Sequence, residues 1–361
     1  MTGSLFCVRA MELKGTDRSA IMQLIVNWQR CLSIYNIERH FLYLDRRLAM
    51  FENVGICFQN VVVFALLVLP GWISKKTGLI GKEQSDGISK VLMYVLIPAM
   101  ILDVMVGTDI NGSLAKNSFD TCIAAGLIYV VSLVLLIGYC RLRRSRIEIR
   151  KVLVFCAVFN NTGFIGMPFV RQMLGDQALL LATMCEVIND LVLFTIGVLY
   201  LGQDQHERFS VKKLISPVLL AAVVGLVLFI GQIRLPQVVM QAVGYFGDAT
   251  TPIALFIVGL QFGEMPFRSL FESKEVWETV LWRLVLIPSL CLGMLYLLWP
   301  DNVLVNTVTV LMFAMPTAST SCVAVEQYGQ DVAFATRCIL VSTLFMAVTV
   351  PLWYGLITYM L

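Results

Sequence analysis

Polar and helix-breaking residues interrupt an apolar stretch near the middle of the chain, in the segment FCAVFNNTGFIGMPFV (155–170). Its amide, hydroxyl and helix-breaking residues are Asn160, Asn161, Thr162, Gly163, Gly166 and Pro168. Proline removes a backbone donor and clashes with the preceding helical turn. Backbone groups freed in an apolar environment have to be paired or line a cavity. The segment therefore indicates either a kinked helix with glycine packing sites or a broken helix at a binding site.

A second interruption has the sequence FAMPTASTSCVAVEQYG (313–329). Its proline and hydroxyl residues are Pro316, Thr317, Ser319, Thr320 and Ser321. Hydroxyls can bond back to their own helix, but together with asparagine amides they can also donate to carboxylate oxygens. If Pro168 and Pro316 open second half-helices, the positive N-terminal ends favour an anion. We predict a site of modest affinity for a small organic anion, because no buried Arg or Lys is evident nearby.

Two acidic residues lie within another apolar stretch. Glu186 and Asp190 are four residues apart, so they share one face of a helix. An acidic side chain at mid-membrane costs about 2.5–3.5 kcal/mol and needs a partner or a function. One hypothesis is a proton or sodium site coupled to substrate movement. The alternative is a structural pair that is tied to Arg283 or Arg337 or that lies near the water boundary.

The composition indicates the environment of these residues. Of 361 residues, 58% are hydrophobic and 14% charged, and the mean hydropathy is +0.81. Soluble domains are nearer 45–50% apolar and 25% charged, so a water-soluble fold is excluded. The net charge of +3 does not indicate a nucleic-acid partner. Ten scattered Cys without a CxxC pair and only two His indicate neither a metal site nor a cofactor.

Ten apolar runs are long enough to cross a bilayer, which takes about 20 residues each. They lie near Val54–Ile73, Ile88–Val106, Thr121–Cys140, Lys151–Arg171, Ala178–Leu201, Leu214–Gln232, Val238–Gln261, Val276–Trp299, Val303–Tyr328 and Val332–Tyr359. Alternate connections carry fifteen and three Lys or Arg residues. The richer side belongs in the cytoplasm. Both ends of the ten-span core are therefore expected outside, and 202–213 is a short cytoplasmic linker.

The first 49 residues do not fit this topology, because their seven basic residues would lie outside. We interpret 1–49 as an N-terminal extension that arises from a misplaced gene start, with translation from Met50. The alternative is an interfacial helix, since Ile21, Leu24, Ile25 and Trp28 share a face.

Two landmarks recur at one separation. Pro98 and Pro252 are 154 residues apart, and so are Gly175 and Gly329. The chain would then consist of two five-span repeats, 50–201 and 214–361. Because five is odd, the second repeat enters from the opposite side, and inverted repeats are typical of secondary transporters.

The motifs NNTGFIGMPFV, LGDQ and AMPTASTSCVAVEQYGQD resemble the auxin efflux carrier family, which includes bacterial carboxylate permeases and plant auxin exporters. The resemblance covers about Met50 to Leu361. It implies an all-α membrane protein with ten helices in an inverted 5+5 repeat, in which helices 4 and 9 are broken and cross. It also implies a scaffold of helices 1, 2, 6 and 7 that forms a homodimer. The other helices would form a mobile, elevator-like transport domain.

In this family the Asn-Thr pair before Gly-x-Pro contacts the substrate carboxylate; here the pair is Asn161 and Thr162. Plant exporters carry a second proline five residues after the one that matches Pro316, where this chain has Ser321. Together with the short linker, this departure favours the bacterial carboxylate permeases. The resemblance thus implies transport of malonate, malate or lactate across the plasma (bacterial inner) membrane. The alternative is a channel or an exporter of another anionic metabolite.

The sequence lacks the motifs of membrane-embedded enzymes and of ATP-driven pumps. It contains no HExxH, no GxSxG and no GxxxxGK[ST] motif. We therefore expect no enzymatic activity.

Overall fold

The computed structural model of the protein describes residues 55, 57–107, 112–143, 147–202, 217–264 and 270–360. These ranges belong to one compact unit, Asn53–Leu361. The extension 1–49, with the two interpretations of it, lies outside the described residues, as does most of the linker 202–213. Within these ranges the chain is helical and forms no β-strand, which confirms the all-α prediction.

Within the described ranges, twelve α-helices surround and position the two interruptions. In chain order they are α1 (Cys57–Lys76), α2 (Lys82–Gly107), α3 (Gly112–Leu142), α4 (Ile147–Val158), α5 (Met167–Leu174), α6 (Asp176–Leu201), α7 (Pro217–Ile230), α8 (Gln237–Glu264), α9 (Lys274–Leu298), α10 (Val303–Phe313), α11 (Ser321–Gln327) and α12 (Val332–Met360). Seven of them, α1, α2, α3, α6, α8, α9 and α12, are long and apolar enough to cross a bilayer. The helices α7 and α10 are shorter and also apolar. The chain is a multi-pass membrane protein.

The outer surface of these helices is apolar. Side chains such as Leu66, Val134, Val227, Leu297 and Leu352 are more than half exposed. Soluble monomers rarely expose large contiguous apolar patches. The surface therefore suits contact with lipid.

Three prolines are each preceded by a π-helical turn. The pairs are Leu92–Leu96 with Pro98, Thr162–Gly166 with Pro168, and Trp282–Leu286 with Pro288. Proline cannot donate its backbone hydrogen bond, and its ring displaces the carbonyl four residues earlier. A wider turn re-pairs the freed groups. Helices α2 and α9 therefore continue through their prolines.

Two glycines have a positive φ after short helices. Gly175 directly follows α5 with φ 83°, and Gly329 lies two residues after α11 with φ 62°. Glycine adopts a positive φ at little cost. These residues are the pair that is 154 residues apart, so both copies have a positive-φ glycine after a short helix.

Helix α8 packs against α1 with backbone contact. A Cβ added at Gly71 would lie 2.0 Å from the carbonyl oxygen of Phe256, and one at Gly259 would lie 2.0 Å from that of Val68. Small residues allow membrane helices to approach this closely. The contact fixes α8, which contributes to the site below.

Candidate functional site

The two interruptions lie side by side. Between α4 and Thr162, and between α10 and α11, the helix is interrupted, and Asn160 and Thr317 form an antiparallel bridge. The amide of Asn161 donates to the carbonyl of Pro316 at 2.8 Å, and the amide of Ala318 donates to that of Phe159 at 3.0 Å. Backbone groups that lose their helical partners at one break are thereby paired with backbone groups of the other break.

The prolines do not open the second half-helices, which corrects that expectation. The first one begins at Thr162, where the side-chain oxygen of Asn161 caps it by accepting from the amide of Phe164 at 3.2 Å. Pro168 lies six residues further along. Pro316 lies within the second interruption, five residues before α11 begins. An asparagine cap starts the helix because a buried amide needs an acceptor.

A buried arginine holds the ends of both first half-helices. Arg283 on α9 is fully buried. Its Nη1 donates to the carbonyls of Ala157 (2.9 Å) and Val158 (2.7 Å), and its Nη2 donates to that of Phe313. The last carbonyls of a helix lack intrahelical donors and carry a partial negative charge. One cation therefore stabilises the ends of α4 and α10 together.

This arginine overturns two sequence expectations. A buried basic residue does lie beside the breaks, and it binds carbonyls rather than Glu186 or Asp190. Within the described ranges, Arg337 also forms no ion pair with either acid. The sequence does contain a feature that could have identified this role. Arg283 lies inside an apolar run, where a charged side chain needs a partner within the protein.

Asn160 stabilises the first break through hydrogen bonds to residues of α3 and α10. Its Nδ2 donates to the carbonyl of Met312 at 2.5 Å, and its Oδ1 accepts from the hydroxyl of Tyr129 at 2.5 Å. Both Asn160 and Tyr129 are buried. Because both ends of the amide are engaged, Asn160 has a structural task even though it borders the cavity.

Thr317 supports the second break. Its hydroxyl donates to the carbonyl of Cys156 at 2.8 Å, and its amide donates to the hydroxyl of Ser342 at 3.0 Å. Gly166 is a packing position, since a Cβ there would lie 3.1 Å from both Met312 and Met315. The predicted residues that do not line the cavity are Thr162, Gly166, Pro168, Pro316, Thr317 and Ser321.

A cavity of about 220 Å³ lies where the breaks meet α2, α6 and α7. Its polar lining residues are Asn160, Asn161, Gly163, Glu186, Asn189, Asp190, Ser319 and Thr320. Its apolar lining includes Met93, Tyr94, Ile97, Phe164, Phe194, Pro217, Val218 and Ala318. The structure thus brings together residues from both motifs and the acidic pair.

A short polar chain crosses the cavity wall. The Nδ2 of Asn161 donates to the hydroxyl of Ser319 at 2.8 Å, and that hydroxyl donates to the Oε1 of Gln261 at 3.3 Å. Gln261 was not predicted from the sequence. The sequence feature that could have identified it is an amide that follows the apolar run IALFIVGL (253–260) of α8.

The acidic wall of the cavity faces the first break. Glu186 is 7% exposed and accepts a hydrogen bond from the hydroxyl of Thr162. A Cβ added at Gly163 would lie 2.8 Å from the Oε1 of Glu186, so the carboxylate needs glycine there. Asn189, which sequence reasoning missed, lies three residues after Glu186 on the same face and also lines the cavity.

A larger cavity of about 510 Å³ is lined mainly by apolar side chains of α1, α8 and α12. It offers a charged ligand few partners. The smaller polar cavity is therefore the better candidate for a charged substrate.

An ion cluster ties α5 to three other helices. Arg171 binds Asp103 of α2 (3.1 Å), Asp248 of α8 (3.4 Å) and Asp176 at the start of α6 (3.0 Å). This cluster holds the end of the second half-helix against α2 and α8.

Comparison with known proteins gives matches that span these helices. The sequence profile of a family described as "Membrane transport protein" matches residues 56–354, which include both breaks and the whole cavity lining. The chain is 27% identical over 302 residues to an "Uncharacterized transporter" of Methanothermobacter thermautotrophicus, covering 82% of this chain and 96% of that relative. It is 24% identical over 305 residues to a "Putative malonate transporter" of Rhizobium meliloti (strain 1021), covering 80% and 92%.

Proposed function

The chain belongs to the membrane transport protein family, the auxin efflux carriers, and we propose that it carries small organic anions across the plasma membrane. The proposed substrates are mono- or dicarboxylates such as malonate, malate or lactate. The family and the names of the relatives indicate a transporter rather than an enzyme.

The observation that carries this proposal is the polar cavity between the two breaks. The amide of Asn161 has a second N–H beyond the one given to Ser319, and Thr320 adds a hydroxyl. The hydroxyl of Ser319 donates to Gln261 and would exchange that acceptor for the anion. The N-terminal end of the helical segment that begins at Thr162 favours negative charge. Amide and hydroxyl donors of this kind suit a carboxylate.

The size of the cavity narrows the substrate class. Pockets for drug-sized ligands are about 300–1,000 Å³, whereas this one is about 220 Å³. An acid of three or four carbons suits this volume better than an aromatic acid such as indole-3-acetate. The name of the Rhizobium meliloti relative points to the same class.

The predicted site residues take two roles in this proposal. Asn161, Gly163, Ser319 and Thr320 contact the anion. The remaining members position the breaks; they are Asn160, Thr162, Gly166, Pro168, Pro316, Thr317 and Ser321. This division follows from the hydrogen bonds that already engage Asn160 and Thr317.

We infer a ten-span architecture. Treating α4 with α5, and α10 with α11, as single interrupted spans and adding α7 to the long helices makes ten crossings. The positive-φ glycines at positions 175 and 329 support two inverted five-span repeats. The distribution of basic residues favours an orientation with both ends of this core outside the cell. The helices α1, α2, α7 and α8 would form the scaffold of a homodimer. The others would move as an elevator, breaking and remaking the Arg171 cluster.

The acidic wall supports coupling to a cation. An organic anion beside Glu186 and Asp190 meets two acidic side chains in a confined cavity. A proton or a sodium ion would reduce this repulsion and move with the anion. Transport is then secondary active rather than uniport.

Uptake by proteoliposomes tests the proposal, with labelled malonate, malate, lactate and indole-3-acetate. We expect saturable uptake of at least one small acid and a decrease of about tenfold or more in Asn161→Ala, since 1.4 kcal/mol corresponds to tenfold. Asn306→Ala is the matched control, because Asn306 is a buried amide of α10 that donates to Trp299.

The outcomes separate the parts of the proposal. If the folded wild type takes up none of the acids, the substrate class is wrong. Uptake that ignores Asn161→Ala refutes the site and leaves the carrier. Accelerated exchange when unlabelled acid is placed on the far side distinguishes a carrier from a channel.

A further inference from the structure

One face of α6 presents three oxygen-bearing side chains to the cavity. Glu186, Asn189 and Asp190 occupy positions i, i+3 and i+4, and all three line it. We propose that they form a binding site for an alkali-metal cation, with sodium as its occupant. The binding of sodium does not depend on the proposed function. Only its role as the ion that is transported together with the anion rests on that function.

Asn189 is the observation that points to a ligand. Its side chain is 3% exposed, and its Oδ1 has no hydrogen-bond partner among the described residues. Buried acceptors are nearly always satisfied, and an exception calls for a partner such as a water molecule or an ion. Glu186 and Asp190 line the same cavity, and two acidic side chains beside this oxygen favour a cation as its partner.

Glu186 supplies a carboxylate without a cationic partner. It accepts from the hydroxyl of Thr162, and among the described residues it forms no salt bridge. Arg283, the buried cation near the breaks, is engaged by carbonyls at the far ends of α4 and α10. A bound cation would neutralise this wall.

The first break completes the environment. Gly163 has no side chain between the break and Glu186, since a Cβ there would lie 2.8 Å from the Oε1. In transporters with broken helices, unwound backbone commonly contributes carbonyl ligands to sodium or proton sites. The carboxylate is therefore close to the backbone that would share the ion.

The ligand set favours a monovalent ion. Carboxylate and amide oxygens suit hard cations. Calcium usually takes six to eight oxygen ligands, more than three side chains of one helix supply. Within the described part of the chain, no three His, Cys, Asp or Glu side chains meet as a metal site. A weakly held ion can also leave in every transport cycle.

Thermal unfolding of the purified full-length protein tests the site without any organic acid. The protein is compared in sodium, potassium and choline chloride at equal ionic strength. Because a ligand that binds only the folded state stabilises it, we expect sodium to raise the unfolding temperature by roughly 2 °C or more over choline. Equilibrium dialysis with radioactive sodium should show about one ion bound per chain.

Four variants make the test specific. Asn189→Leu and Glu186→Gln should abolish the sodium response. Asn189→Asp keeps an oxygen ligand and should retain it, which guards against a folding defect at this position. Asn306→Ala is the control, because Asn306 also has a buried, unpartnered Oδ1 but does not line the cavity.

Equal stability in the three salts overturns the inference, as does a sodium response that survives in both Asn189→Leu and Glu186→Gln. The outcome is independent of the anion. Sodium binding without uptake of any acid would support the cation site and refute the proposed substrates. Uptake of an acid without sodium binding would support the proposed substrates and refute the cation site.

Discussion

The two breaks both interrupt a membrane helix, but different groups satisfy the backbone at each one. The first is three residues long, 159–161, and uses an asparagine to cap the helical segment that follows. The second spans seven residues, 314–320, and relies on Pro316 and a series of hydroxyls. The first break is thus short and held by amide side chains, and the second is long and held mainly by its backbone and hydroxyls.

Each break nevertheless divides its polar residues in the same way. One side chain is engaged by the protein and fixes the backbone: Asn160 in the first break and Thr317 in the second. A residue one or two positions later lines the cavity: Asn161 and Ser319. The hydrogen-bond partners set this division, because Asn160 and Thr317 are bonded to residues of the neighbouring helices α3, α10 and α4. Structural and ligand-binding tasks can therefore be separated by mutation.

The largest expected effect comes from the residue that serves both breaks. Arg283→Met removes the donors to the carbonyls of α4 and α10 at once. Hydrogen bonds to charged groups contribute about 1.5–3 kcal/mol each, so we expect a loss of about 3 kcal/mol or more of stability. Thermal unfolding in detergent measures it.

The control for this comparison is Arg337→Met, because Arg337 is a half-buried arginine of α12 that forms no ion pair within the described ranges. Arg283→Lys should recover part of the loss. If Arg283→Met unfolds at the wild-type temperature, the shared support of the two breaks is refuted.

The sequence was sufficient to locate the seven long helices and both breaks. Apolar length is set by bilayer thickness, so these helices follow from the apolar runs. The other three of the ten predicted spans are not single long helices in the structure: two are divided by the breaks, and α7 is shorter. The breaks follow from polar residues and prolines inside apolar runs. Asn161 carried a further signal, since asparagine is a preferred N-cap, and this would have placed the helix start correctly.

The division of tasks within each break was not predictable, because it depends on distant partners. Asn160 is structural only because Tyr129 and Met312, 31 and 152 residues away, engage both ends of its amide. The acceptors of Arg283 lie up to 126 residues away. Short-range patterns contain no information on such pairings. They identified polar residues but could not separate supports from ligands.

A smaller effect distinguishes the two asparagines. Asn160→Ala removes the bond to Met312 and leaves the Tyr129 hydroxyl unpaired in the core, so we expect a loss of about 2 kcal/mol of stability. The folded fraction should keep the wild-type KM for the anion. Asn161→Ala should instead raise KM. Uptake kinetics with thermal unfolding measure both, and Tyr129→Phe should reproduce part of the Asn160 defect. An unchanged unfolding temperature in Asn160→Ala would contradict the structural role.

The smallest effect makes the same distinction in the second break. Thr317→Val keeps the shape of the side chain and loses only the hydrogen bond to Cys156. Side-chain hydrogen bonds in membrane proteins average about 0.6 kcal/mol, so we expect a loss of about 0.5–1.5 kcal/mol with unchanged KM. Ser319→Ala removes the hydroxyl that links Asn161 to Gln261 at the cavity and should raise KM with little change in stability. If Thr317→Val raises KM and Ser319→Ala lowers only stability, the structural and ligand-binding roles of these two residues have been assigned in reverse. The proposed division of roles then holds for the first break alone.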